Sequence, residues 1–89
     1  MYVILVYDFG EKRVNKMLKL CRKYLNWIQN SVFEGEISEA RLKELLMQSD
    51  KFMKKDEDSI IIFNTLSQIS MEKRIIGKER SSVDVFLCQ

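Results

Sequence analysis

The chain has no histidine and no proline, and only three glycines and two cysteines among its 89 residues. Each scarcity excludes something. Without histidine there is no Ser/His or Cys/His triad and no imidazole to serve as general acid–base near neutral pH. Hydrolytic chemistry would then fall to carboxylates, helped by a metal, or to tyrosine and lysine. The cysteines, Cys21 and Cys88, are far apart and have neither a CxxC neighbour nor a histidine, which excludes a zinc site. Cys21 falls on an apolar helical stripe and reads as a small buried hydrophobe. With so little glycine and proline, no linker or low-complexity segment divides the chain, and residues 1–89 read as one domain. The apolar start is too short for a membrane span or a signal peptide, so the expectation is a cytoplasmic protein with no membrane partner.

What is present is an ordinary globular balance, 46% hydrophobic and 31% charged, with a net charge of +2 that is unevenly spread. Residues 1–24 carry six basic side chains, Lys12, Arg13, Lys16, Lys19, Arg22 and Lys23, against Asp8 and Glu11. Residues 34–58 carry eight acids against five bases. A domain this small buries only about 60–65% of its unfolded surface, so pairing with a second copy would help it.

The opening YVILVYD is a continuous apolar run, as in a strand covered on both faces, yet it stops on Asp8 with Gly10 two residues later. An aspartate there is either a plain strand end or a ligand-binding carboxylate at the lip of the sheet. EKRVNKMLKLCRKYL then changes to a helical period, with Val14, Met17, Leu18, Cys21, Tyr24 and Leu25 on one face. Lys12, Lys16, Lys19 and Lys23 fall on the other, either facing phosphate or simply solvated. NWIQNSVFEG alternates as one second strand ended by Gly35. Ser38 is an N-cap for the helix SEARLKELLMQSDKFMKK, and Ile37 with Leu42 has the spacing of a hydrophobic staple. Its buried stripe runs through Leu42, Leu45, Leu46, Ser49, Phe52 and Met53. The acidic KDED segment reads as a turn, SIIIF as a buried strand, Met71 to Ile76 as another, and VDVFL as a short last one.

The expected fold is α+β: a ferredoxin-like βαββαβ sandwich, two helices on one face of an antiparallel sheet, with an extra C-terminal strand. Its other sheet face is too apolar for water, which predicts a homodimer packed through the sheets, with VDVFL crossing to or bracing the partner. Trp27 and Phe33 would extend that face or frame a site.

VYD at the end of the first strand, the basic first helix, QNSVFEGEI about twenty residues later, and SIIIF together resemble CRISPR-associated protein two, over nearly the whole chain. The resemblance implies a ferredoxin-like homodimer that bridges copies of the larger CRISPR integrase during spacer acquisition. Some members of the family are metal-dependent endoribonucleases or deoxyribonucleases. Carried onto this sequence, the strand-terminal aspartate is Asp8 with Tyr7 beside it, the SVFE motif supplies Ser31 and Phe33, and an early helical arginine is Arg13, with Arg22 a second basic position. On this reading two Asp8 side chains meet at a dimer axis and hold Mg²⁺ (or Mn²⁺), which takes oxygen ligands and works with few carboxylates. Tyr7, Arg13 and Ser31 orient or bind phosphate, and Phe33 packs on a base or shapes the cleft.

The basic helix suits backbone contact with duplex DNA, or with single-stranded RNA. Nothing reads base edges, for there is neither a recognition-helix motif nor the paired aromatics of an RNA-recognition sheet. Scaffold and nuclease readings are compatible. The alternative is a small ribonuclease toxin of the virulence-associated D type, which shares the fold. A ligand-binding regulatory module is disfavoured, since no glycine-rich loop or polar pocket constellation is evident.

Overall fold

The computed structural model describes residues 1–65 and 71–78. Elements follow in the order β1 (Tyr2–Asp8), α1 (Val14–Arg22), β2 (Asn26–Gln29), β3 (Val32–Glu36), α2 (Glu39–Asp50), β4 (Ser59–Thr65) and β5 (Met71–Gly77). The sheet is antiparallel throughout, with strand order β2-β3-β1-β4-β5. The first four strands have the ferredoxin-like arrangement, and β5 extends it at the β4 edge. The expected VDVFL strand lies outside the described residues.

One expectation is corrected. NWIQNSVFEG is not one strand but a hairpin, because the chain reverses at Asn30 and Ser31. Asn30 takes φ 46°, a left-handed conformation that asparagine tolerates better than most residues. The Trp27 indole nitrogen donates to the Asn30 carbonyl at 2.9 Å and fastens the turn. The alternation that suggested one strand persists through the turn, so it carries no mark of the reversal.

Both helices are shorter than their apolar periods suggest. At α1, Arg13 N and Val14 N both donate to the Gly10 carbonyl, so the segment before Val14 is a turn. At α2 the Ser38 hydroxyl accepts from Arg41 N at 3.1 Å, the expected cap, and Ile37 and Leu42 are both buried in one cluster. Phe52 and Met53 still pack on the core after the helix has ended.

The core lies between helices and sheet. Val3, Leu5 and Tyr7 of β1 alternate into it and meet Phe33, Ile60 and Ile62, with Met17 and Cys21 of α1 and Leu42 and Leu45 of α2 on top. Burial pushes the Cys21 thiol up to about 12, so it is an inert packing group, as expected. The opposite face carries a smaller apolar set, Val6, Val32 and Ile61, flanked by Ile4, Phe63 and Ile75. Neither helix covers it, yet Val6 and Ile61 are only 1% exposed and Val32 8% within the single chain.

Candidate functional site

Strand alternation decides where the site residues go. Tyr7 points into the helix-covered core, and Asp8, one residue on, belongs to the uncovered face with Ile4 and Val6. Across that face Asp8 registers with Ser59, and the next row down is Val32, Val6, Ile61 and Ile75. Asp8 is partly exposed, whereas Ser59 is fully buried. Among the described residues the Ser59 hydroxyl has no hydrogen-bond partner, a cost of about 1–3 kcal/mol if nothing else satisfies it.

The carboxylate and the buried hydroxyl form an all-oxygen donor pair, suited to a hard cation such as Mg²⁺. Among the described residues no three His, Cys, Asp or Glu side chains converge.

Tyr7, Ser31 and Phe33 lie together, but on the other face. Ser31 O accepts from Tyr7 N at 3.1 Å, and the Tyr7 and Phe33 rings stack at 6.2 Å. Burial raises the Tyr7 hydroxyl above its ordinary range, and a hydrogen bond with Ser31 partly offsets that, so Tyr7 stays neutral near pH 7. Phe33 has no exposed surface; it is a core residue and is not positioned to touch a base. Trp27, paired with Phe33 across the hairpin, takes the exposed position instead, with half of its surface open. Trp27, Tyr7, Val14 and Leu18 wall a cleft of about 450 Å³. Asn15 and the Asn30–Ser31 turn provide its polar edge.

Arg13 is engaged elsewhere. Its Nε donates to Asp58 Oδ2 at 2.6 Å and its Nη2 to Asp58 Oδ1 at 2.9 Å, with a further bond to Glu57 at 3.0 Å. Asp58 is fully buried and also accepts from Gly10 N and Lys54 N. Burial pushes its carboxyl up, but the bonds from Arg13, Lys54 and Gly10 and the Arg13 charge outweigh it, leaving a value of about 2. A Cβ at Gly10 would collide with the Arg13 guanidinium, which explains a glycine two residues past Asp8. Four donor groups on one buried carboxylate therefore fix the loop that follows Asp8.

Sequence reasoning missed Asp58, because it closes an acidic run that reads as a solvated turn. Its signal is position: it alone of that run abuts the buried strand SIIIF. Of the remaining basic residues, Lys12, Lys16, Lys19, Arg22 and Lys23 are all exposed. Lys16 lies over Phe52 and Arg22 over Trp27, so the basic strip crosses α1 from one side to the other.

These features define a small ferredoxin-like domain with a carboxylate at the end of its first strand and a basic first helix. The family model for CRISPR associated protein Cas2 matches residues 1–74, and the chain belongs to that family. It is 42% identical to a protein of Dictyoglomus turgidum named CRISPR-associated endoribonuclease Cas2, over 98% of this chain and all of that one. A crystal structure described as cas2 superposes with a TM-score of 0.71 at 43% identity, covering 93% of each chain. Cas2 of Streptococcus pyogenes superposes with a TM-score of 0.66 at 28% identity, covering 78% of this chain and 89% of that one. No helix among the described residues is long and apolar enough to cross a membrane.

Proposed function

We propose that the protein works in CRISPR spacer acquisition as a homodimer joined through the uncovered sheet faces, and that it hydrolyses phosphodiesters where two Asp8 side chains meet. The observation that supports this most is the partly exposed Asp8 at the end of the helix-free apolar row of Val6, Val32 and Ile61, beside Ser59, whose hydroxyl has no partner among the described residues. A second copy laid on that face would add a second carboxylate. The name of the Dictyoglomus turgidum relative agrees with ribonuclease activity and favours this reading over the toxin alternative.

In this arrangement Asp8 from each copy would hold the ion, with Ser59 as a neighbouring oxygen. Bound Mg²⁺ or Mn²⁺ would supply charge neutralisation and an activated water. Asp58 and Arg13 position Asp8 by fixing the loop behind it, and play no direct part in chemistry. Lys12, Lys16, Lys19, Arg22 and Lys23 bind backbone phosphates, without reading sequence. Two copies would set two basic helices along one duplex DNA and offer a symmetric platform for integrase subunits.

The test uses the wild type and Asp8→Asn, both confirmed as dimers, on labelled single-stranded RNA and on duplex DNA, with Mg²⁺ or EDTA. The expected result is cleavage by the wild type with metal only, and none by the variant. Cleavage that survives both EDTA and the substitution would place the chemistry elsewhere. If neither protein cuts while both bind duplex in a salt-sensitive way, the nuclease half of the proposal fails and the scaffold half stands.

A further inference from the structure

The cleft beneath Trp27 is separate from the Asp8 face, and its chemistry is different. Trp27 is the chain's single tryptophan, half exposed on the edge strand β2, with its indole nitrogen tied to the Asn30 carbonyl at 2.9 Å. A large ring held half in water is costly to leave bare, and here it forms one wall of a cleft of about 450 Å³. That volume falls in the range of sites for a single small ligand or one residue of a polymer. The walls are apolar, Val14 and Leu18 of α1 with the neutral Tyr7 ring, while Asn15 and Ser31 provide hydrogen-bonding groups. Among the described residues no acidic side chain lines it. The Arg22 guanidinium lies 5.8 Å from the Trp27 ring centre, and exposed Lys19 and Lys23 follow on the same helix end.

A flat aromatic wall, amide and hydroxyl groups at the edge, and cations at the rim match an unpaired nucleobase whose own phosphates pass over Arg22. Duplex cannot offer this, because its base faces are stacked inside. A protein or lipid partner would leave the paired requirement for ring and cation unexplained.

We infer that this cleft binds one unpaired base of a single-stranded nucleic acid, stacked on Trp27, on the opposite side of the sheet from Asp8. The inference rests on the reading that the protein binds nucleic acid, but not on its cutting it. On this account the chain handles single strands through a stacking site that the motif residues Tyr7 and Ser31 build from behind. Those two residues then serve binding rather than the chemistry at Asp8.

Because Trp27 is the only tryptophan, its fluorescence reports this cleft alone. The experiment titrates the full chain in EDTA with a short oligothymidylate, with an abasic deoxyribose-phosphate strand of the same length, and with a blunt duplex. The expected result is saturable quenching by oligothymidylate only. By anisotropy, Trp27→Ala weakens oligothymidylate binding about tenfold, Trp27→Phe retains most of it, and duplex binding changes less than about twofold. Asn15→Phe, which fills the cleft without changing charge, weakens the single strand in the same way and guards against a folding artefact in Trp27→Ala.

Equal quenching by the abasic strand, or single-strand affinity unchanged in both Trp27→Ala and Asn15→Phe, overturns the inference. Asp8→Asn should quench like the wild type. Quenching without cleavage upholds this site while the nuclease proposal fails, and cleavage without quenching does the reverse.

Discussion

The two faces of the sheet differ in kind. The helix-covered face is a finished core, in which Phe33, Leu5, Met17, Leu42, Leu45, Ile60 and Ile62 have no exposed surface. The face without helices has a narrower apolar row, Val6, Val32 and Ile61, and then the partly exposed Asp8 beside Ser59. The helices cover the first face, a charged group ends the second, and buried polar atoms without a partner among the described residues occur on both, Asn64 Oδ1 on the first and Ser59 Oγ on the second. Stability should therefore depend on the first face, and assembly and chemistry on the second. Adjacent residues divide between them: Tyr7 belongs to the core and Asp8 to the face that needs a partner.

The sharpest test of this division compares substitutions on the two sides. Phe33→Ala should destabilise the fold by about 3–5 kcal/mol through the cavity it leaves, measured by urea denaturation. Asp58→Ala should cost about 1–3 kcal/mol by leaving the Gly10 and Lys54 amides without their acceptor while Arg13 keeps Glu57, and should also impair cleavage by loosening the loop after Asp8. A normal fold and normal cleavage in Asp58→Ala would mean that the latch has no positioning role.

On the uncovered face the expected loss is of association. Ile4→Asp, at a partly exposed position on that face, should convert the dimer to a folded monomer in sedimentation, with near-native circular dichroism. If the variant stays dimeric, this face is not the interface.

A smaller effect follows from acid. The Asp58 carboxyl sits at about 2 in the folded chain, below its ordinary value of 3.8. A depressed carboxyl stabilises above its unfolded value and loses that contribution as pH falls through its folded value. Its share, about 2 kcal/mol, should vanish between roughly pH 4 and pH 2, and the loss should be absent in Asp58→Asn. The smallest effect belongs to the basic strip. Removing one phosphate contact, as in Lys19→Gln, should reduce the salt slope of duplex binding by about 0.9 and leave the fold unchanged.

The sequence made some of this legible. The β1 run, the Ser38 cap and the periods of α1 and α2 are local signals, and local physics determines them. The Asn30 turn was hidden because Ile28, Asn30 and Val32 keep the alternation of a single strand, although the left-handed tolerance of asparagine was available as a hint. The resemblance singled out Arg13 to orient or bind phosphate; the structure pairs it with Asp58, 45 residues away, and no local pattern encodes that pairing. Phe33 and Trp27 were both visible as aromatics; the hairpin register puts them on one face, and what separates them is that Phe33 lies on the inner strand β3 and Trp27 on the edge strand β2. The motif residues were found by resemblance, yet their division between two faces follows from the pleat of β1, a fact the motif does not carry.

The most direct test of the central claim is whether one active site needs Asp8 from two copies. Wild type and Asp8→Asn are mixed in varying proportion, allowed to exchange subunits, and assayed for metal-dependent cleavage at constant total protein. A shared site predicts activity falling with the square of the wild-type fraction, to about a quarter in an equal mixture. A linear fall, to about half, would contradict the shared site and assign each Asp8 its own separate centre.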